Sequence, residues 1–110
     1  MAKFVTIGYG DQAGYDGTDA KVRDAAHAHD AQLHRQGVVM GVAGPPVQVR
    51  NHGGAEVTTQ AGPFLSARYP VAGFALIEAP TLADAIDLVS GTPCAVANGV
   101  VEVWPLHEQP

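Results

Sequence analysis

The chain has 110 residues, 46% of them hydrophobic and 15% charged, with 6 Lys plus Arg against 11 Asp plus Glu and a formal net charge of −5. That length is one domain over residues 1–110, with apolar content enough for a core and too little charge for charge-driven disorder. The acidity argues against a nucleic-acid partner, whose phosphates need a basic face, and the single cysteine, Cys94, excludes an internal disulfide and any CxxC metal or redox site. No apolar run approaches the roughly 20 residues of a membrane span, and the start Met1-Ala2-Lys3-Phe4 lacks a long apolar leader segment. The expectation is a cytoplasmic domain with no membrane partner, its sparse surface charge pointing to a face hidden in a partner or oligomer.

Lys3 to Tyr9 is β-branched and aromatic and reads as a strand. Residues 10–17, with three glycines and two aspartates, read as a turn. Thr18 or Asp19 then caps a helix that runs without Pro or Gly to Gln36, and Gly37 stands where a left-handed C-terminal residue belongs. Val38–Ala43 is a short buried strand stopped by Gly44-Pro45-Pro46. Val47–Arg50 and Ala55–Thr59 flank Asn51-His52-Gly53-Gly54 as a hairpin. Residues 60–73, with two prolines, form a connecting loop with one helical turn. Gly73–Ala79 is a strand, Leu82–Ser90 a helix capped by Thr81 with Asp84 at the capping-box position, and residues 91–99 a loop. The last strand runs from Val100 to Trp104 and is broken by Pro105.

The order β-α-β-(hairpin)-β-α-β is that of an α+β, ferredoxin-like fold with the hairpin as an insertion. Its helices cover one face of the sheet. The strands are apolar on both parities, however: Val5 and Ile7 against Phe4, Ala75 and Ile77 against Phe74 and Leu76, Val101 and Val103 against Val100 and Trp104. A sheet apolar on both sides buries both. No residues remain to cover the second face, so the expected assembly is a homodimer with the sheets packed face to face.

Several segments in this order resemble the YCII-related family, in particular its DGPF-type branch. They are Leu33–Val39, Ala61-Gly62-Pro63-Phe64, Gly73–Ala79, Leu82–Ile86 and Val101–Pro105, with Gly-Pro-Phe followed nine residues later by Gly-Phe-x-Leu-Ile-Glu. The resemblance spans nearly the whole chain and implies a dimeric α/β barrel. Two departures stand out. Ala61 replaces the Asp before Gly-Pro-Phe, and the His–Asp pair used by some members falls on Ala26 and Thr92, so that pair does not carry over.

The chemistry-bearing residues gather on the first helix. At about 100° per residue Val22, Ala26, His29 and Leu33 form one stripe toward the sheet. His29 is thereby the candidate catalytic acid–base or ligand anchor in the helix–sheet cleft, and equally a core histidine bonded to a carbonyl. His27, Asp30 and His34 lie on a flank as a solvated face with an Asp30–His34 pair. His27 and His34 are two turns apart, roughly 10 Å, too far for one ion, and no metal is expected. Glu78 and Glu102 share the parity of Phe74, Leu76 and Trp104, so a dimer on that face would half-bury them and raise their pKa. Tyr9, Arg50, His52 and Arg68 are candidate ligand contacts, the two arginines as a carboxylate clamp. Gly8-Tyr9-Gly10 lacks the third glycine of a dinucleotide fingerprint, Ser66 has no nucleophile elbow, and Cys94 has no activating charge. The functional expectation is therefore a cofactor-free domain binding a small molecule, with isomerase- or lyase-like acid–base chemistry on His29. The alternative is a non-catalytic accessory protein that meets a regulatory partner.

Overall fold

The computed structural model describes residues 1–108 of the chain. The order is β1 (Ala2–Tyr9), α1 (Gln12–Asp16), α2 (Ala20–Arg35), β2 (Val39–Val42), β3 (Val47–Arg50), β4 (Thr58–Ala61), β5 (Val71–Ala79), α3 (Leu82–Val89), α4 (Pro93–Val96) and β6 (Val100–Leu106). One sheet has the order β2-β5-β1-β6 with every neighbour antiparallel, and β3 pairs with β4 as a separate ribbon. The architecture is α+β, compatible with a ferredoxin-like fold. Among the described residues no helix is long and apolar enough to cross a membrane.

The helices begin and end where side chains satisfy the backbone. Asp19 accepts from the Lys21 amide at 2.8 Å and opens α2, and Gly37, at φ 86°, takes the left-handed turn beyond its end. At α3 the Thr81 hydroxyl accepts from the Asp84 amide (3.2 Å) and donates to the Asp84 carboxylate (2.8 Å). The core lies where α3 meets the sheet: Phe4, Ile77 and Ala79 from the strands, Ala85 and Val89 from the helix, with Val101 and Val103 packed beside them. The opposite parity is bare, with Trp104 55%, Phe74 47%, Leu76 40% and Val39 69% exposed.

Four local expectations need correction. Residues 10–17 are not a plain turn, because Asp11 accepts from the Gly14 amide (2.8 Å) and opens α1. The ribbon joins through seven residues, with Arg50 opposite Thr58, so Ala55-Glu56-Val57 are loop and the His52–Gly54 stretch a single 3-10 turn. No helical turn forms between Gly62 and Pro70, whereas one does at α4, where Pro93 occupies the first turn. Strand β6 runs through Pro105, opposite Phe4. As the outer strand of the sheet it tolerates a residue with no N–H to give.

The buried contact of Ile77 predicts a graded loss of stability. Ile77→Val is expected to cost about 1 kcal/mol and Ile77→Ala about 3 kcal/mol, read from urea unfolding. Equal and small losses would place the core elsewhere.

Candidate functional site

Helix α3 lies directly on β5 and β6, but α2 packs chiefly on α4 and stands off the sheet. The space beneath α2 is a cavity of about 540 Å³, within the range of small-molecule sites. The strands create it by a taper. Along β1 and β5 the paired residues on the helix side shrink from Phe4–Ile77 to Thr6–Ala75 to Gly8–Gly73, so a packed core gives way to open floor. Met40, Val89 and Val101 complete an apolar lining, and Gln12 and Tyr15 of α1 close one end.

The polar wall comes from α2. His27, Asp30 and His34 all line the cavity, joined by Asp11, Thr92 and Cys94. The Tyr15 hydroxyl shares a 2.8 Å hydrogen bond with His27 Nε2, tying α1 to α2. Asp30 Oδ1 is sealed from solvent with no hydrogen-bond partner. Burial therefore pushes the Asp30 carboxyl above its ordinary 3.8, an effect that positive charge on His27, His29 or His34 opposes. Burial, and then the charge of Asp30, push the Cys94 thiol up as well. That thiol is the opposite of an activated nucleophile. Among the described residues no three His, Cys, Asp or Glu side chains are grouped so as to hold a metal ion.

The sequence-derived candidates divide between several places. His29 does not line the cavity: its Nε2 donates to the Leu88 carbonyl at 2.5 Å, and the ring lies against Gly91. Of the expected stripe, Ala26, His29 and Leu33 face inward while Val22 is exposed, and His29 meets α3 rather than the floor. The flank expected to be a solvated face does leave His27 and His34 exposed, but it also borders the cavity, where Asp30 Oδ1 is buried and has no hydrogen-bond partner. The Ala26 position is buried and Thr92 lines the cavity, where its hydroxyl donates to the Val89 carbonyl (2.7 Å).

Tyr9 and Arg50 line a groove of about 950 Å³ on the other side of the sheet, between β3 and the loop after β4. Tyr9 is buried there and donates to Glu102 at 2.6 Å, which holds the phenol above its ordinary pKa. Arg50 donates to Gln48 (2.8 Å) and stacks over Phe64, while Arg68 stacks over Tyr69 outside the groove. Of the two arginines only Arg50 lines the groove. Glu78 sits opposite Lys3 on the bare face, and His52 lies in the exposed turn of the ribbon. Sequence reasoning missed the cavity wall at Asp30, Asp11 and Thr92. The available signal was the run of small residues Gly8, Gly73 and Ala75 on one parity.

The YCII-related domain family matches residues 2–109, and the chain belongs to that family. No curated protein matches it.

The buried carboxyl gives a pH signature. A carboxyl whose folded-state pKa is raised opposes folding when ionised; that cost is absent below the unfolded-state pKa and complete above the folded-state one. Asp30→Asn removes the charge, so the variant's stability relative to the natural chain is expected to rise as pH increases through that window. Unfolding at pH 3 and pH 7 measures it. A difference independent of pH would mean that Asp30 is fully solvated.

Proposed function

We propose that the chain binds a small molecule in the cavity beneath α2, as a homodimer built on the bare face of the sheet. The observation that carries the binding reading is a mostly apolar cavity whose polar groups converge on one wall, His27, Asp30 and His34 on successive turns of α2. Apolar walls supply the affinity of such a site and a few polar groups its orientation. Imidazoles both give and take protons near neutral pH, so His27 and His34 can serve cofactor-free acid–base chemistry on a bound substrate. His29, committed to the Leu88 carbonyl, is better suited to position α2.

The dimer reading draws on the exposure of Phe74, Leu76, Trp104 and Val39 on one side of one sheet. A contiguous apolar face of this kind marks an interface, and a second copy offers the same strands in return. The same face favours the alternative reading, a non-catalytic accessory protein in which a different protein covers it.

Native mass spectrometry of the freshly purified protein, against its denatured mass, tests both parts. The expected result is a dimer carrying additional non-covalent mass. A dimer with no added mass would weaken the binding reading, and a monomer would favour the accessory one. Leu76→Asp and Trp104→Asp are each expected to shift the sedimentation coefficient from dimer to monomer; an unchanged dimer would mean that the copies meet elsewhere.

A further inference from the structure

We infer that the cavity beneath α2 takes an organic cation, a protonated amine on an apolar body. This rests on the reading of that cavity as a binding site and names its ligand class. The cavity lining contains Asp11 and Asp30 but neither Lys nor Arg. Arg23, on the same helix, stacks over the Tyr15 ring at 4.8 Å and is not part of the lining. Asp30 shares that lining with the apolar side chains of Leu33, Met40, Ile77 and Val89, and one of its carboxyl oxygens is sealed and unpartnered. A carboxylate in such surroundings has no Lys or Arg as counter-charge in the cavity lining, and only the imidazoles of α2 stand near it.

An ammonium group supplies that charge together with N–H donors, in charge-assisted hydrogen bonds that are shorter and stronger than neutral ones. His27 and His34, one turn to either side of Asp30, add imidazole nitrogens to the same wall, His27 Nε2 being shared with the Tyr15 hydroxyl. An anionic ligand would meet two carboxylates and neither Lys nor Arg. A neutral one would leave Asp30 uncompensated. The apolar floor and far wall then take the body of the molecule.

The test uses three isosteric probes on the full chain, 2-phenylethylamine, 2-phenylethanol and phenylacetate, titrated at neutral pH and followed by amide chemical shifts. The amine is expected to move the amides of Gly8, Gly73 and the middle of α2 and to bind about tenfold tighter than the alcohol, with no binding of phenylacetate. In Asp30→Asn the amine and the alcohol are expected to bind alike, with the rest of the spectrum unchanged. Asp30→Glu keeps the charge and is expected to retain part of the preference. Equal binding of amine and alcohol by the natural chain, or a preference for phenylacetate at the same amides, would overturn the cation and leave the binding reading standing. An amine preference that survives in Asp30→Asn would also overturn the inference. Failure of every probe to move these amides at millimolar concentration would overturn both.

Discussion

Helix α3 ends at Val89, so the carbonyl of Leu88 is one of those that a helix leaves without an intrahelical donor. His29 supplies the donor from the middle of α2, at 2.5 Å. Gly91 makes room for the ring, since a methyl group there would come within 3.3 Å of it. This bond completes the end of α3, where Ser90 and Thr92 already donate to the Asp87 and Val89 carbonyls, and ties it to α2. Because α3 is set on the sheet through Ala85 and Val89, α2 is located relative to the strands at second hand, through α3 and α4. The separation that results is the cavity, and His27, Asp30 and His34 on its wall are placed by that fastening together with the packing of α2 on α4 and the Tyr15–His27 bond.

The same three strands serve two surfaces by simple alternation. On the helix side, β1 and β5 carry the core at one end and the cavity floor at the other, as their paired residues shrink toward Gly8 and Gly73. On the bare side the residues between them, Ile7, Phe74 and Leu76, stay large. Charge divides the same way: the cavity lining holds Asp11 and Asp30 without a cation, while Arg50 lines the groove on the opposite side. The two surfaces therefore suit different partners.

Much of this was legible in the sequence because it follows from periodicity. The parity of Phe74, Leu76, Glu102 and Trp104, the bounds of α2 and the cap at Thr81 all come from patterns whose physical cause is local. What was not legible depends on neighbours distant in the chain. A helical stripe says that His29 points inward but not whether it meets a strand or another helix. Gly14 reads as a turn residue, yet it is helical, and its lack of a side chain serves the close approach of the Ala97 carbonyl, 2.8 Å from where a Cβ would stand. Pro105 looks like a strand breaker until β6 proves to be the outer strand. Asp30 looked solvated because nothing on its own helix reveals that α2 stands off the sheet.

The cavity floor carries a cost of its own. Gly8 and Gly73 face each other across β1 and β5, and glycine in a strand contributes no side-chain packing and loses more conformational freedom than any other residue. On the cavity side only the Cys94 side chain of α4 comes close to Gly8, and α2 does not rest there. The backbone ladder and the opposite face must do so, and at this level the opposite face is Ile7, Phe74 and Leu76. A second copy packed on those side chains would stiffen the strands from behind and hold the floor in register. Assembly and ligand binding would then be linked through the thickness of a single sheet. In that arrangement the apolar face that a lone chain leaves bare is also what allows its other face to stay open.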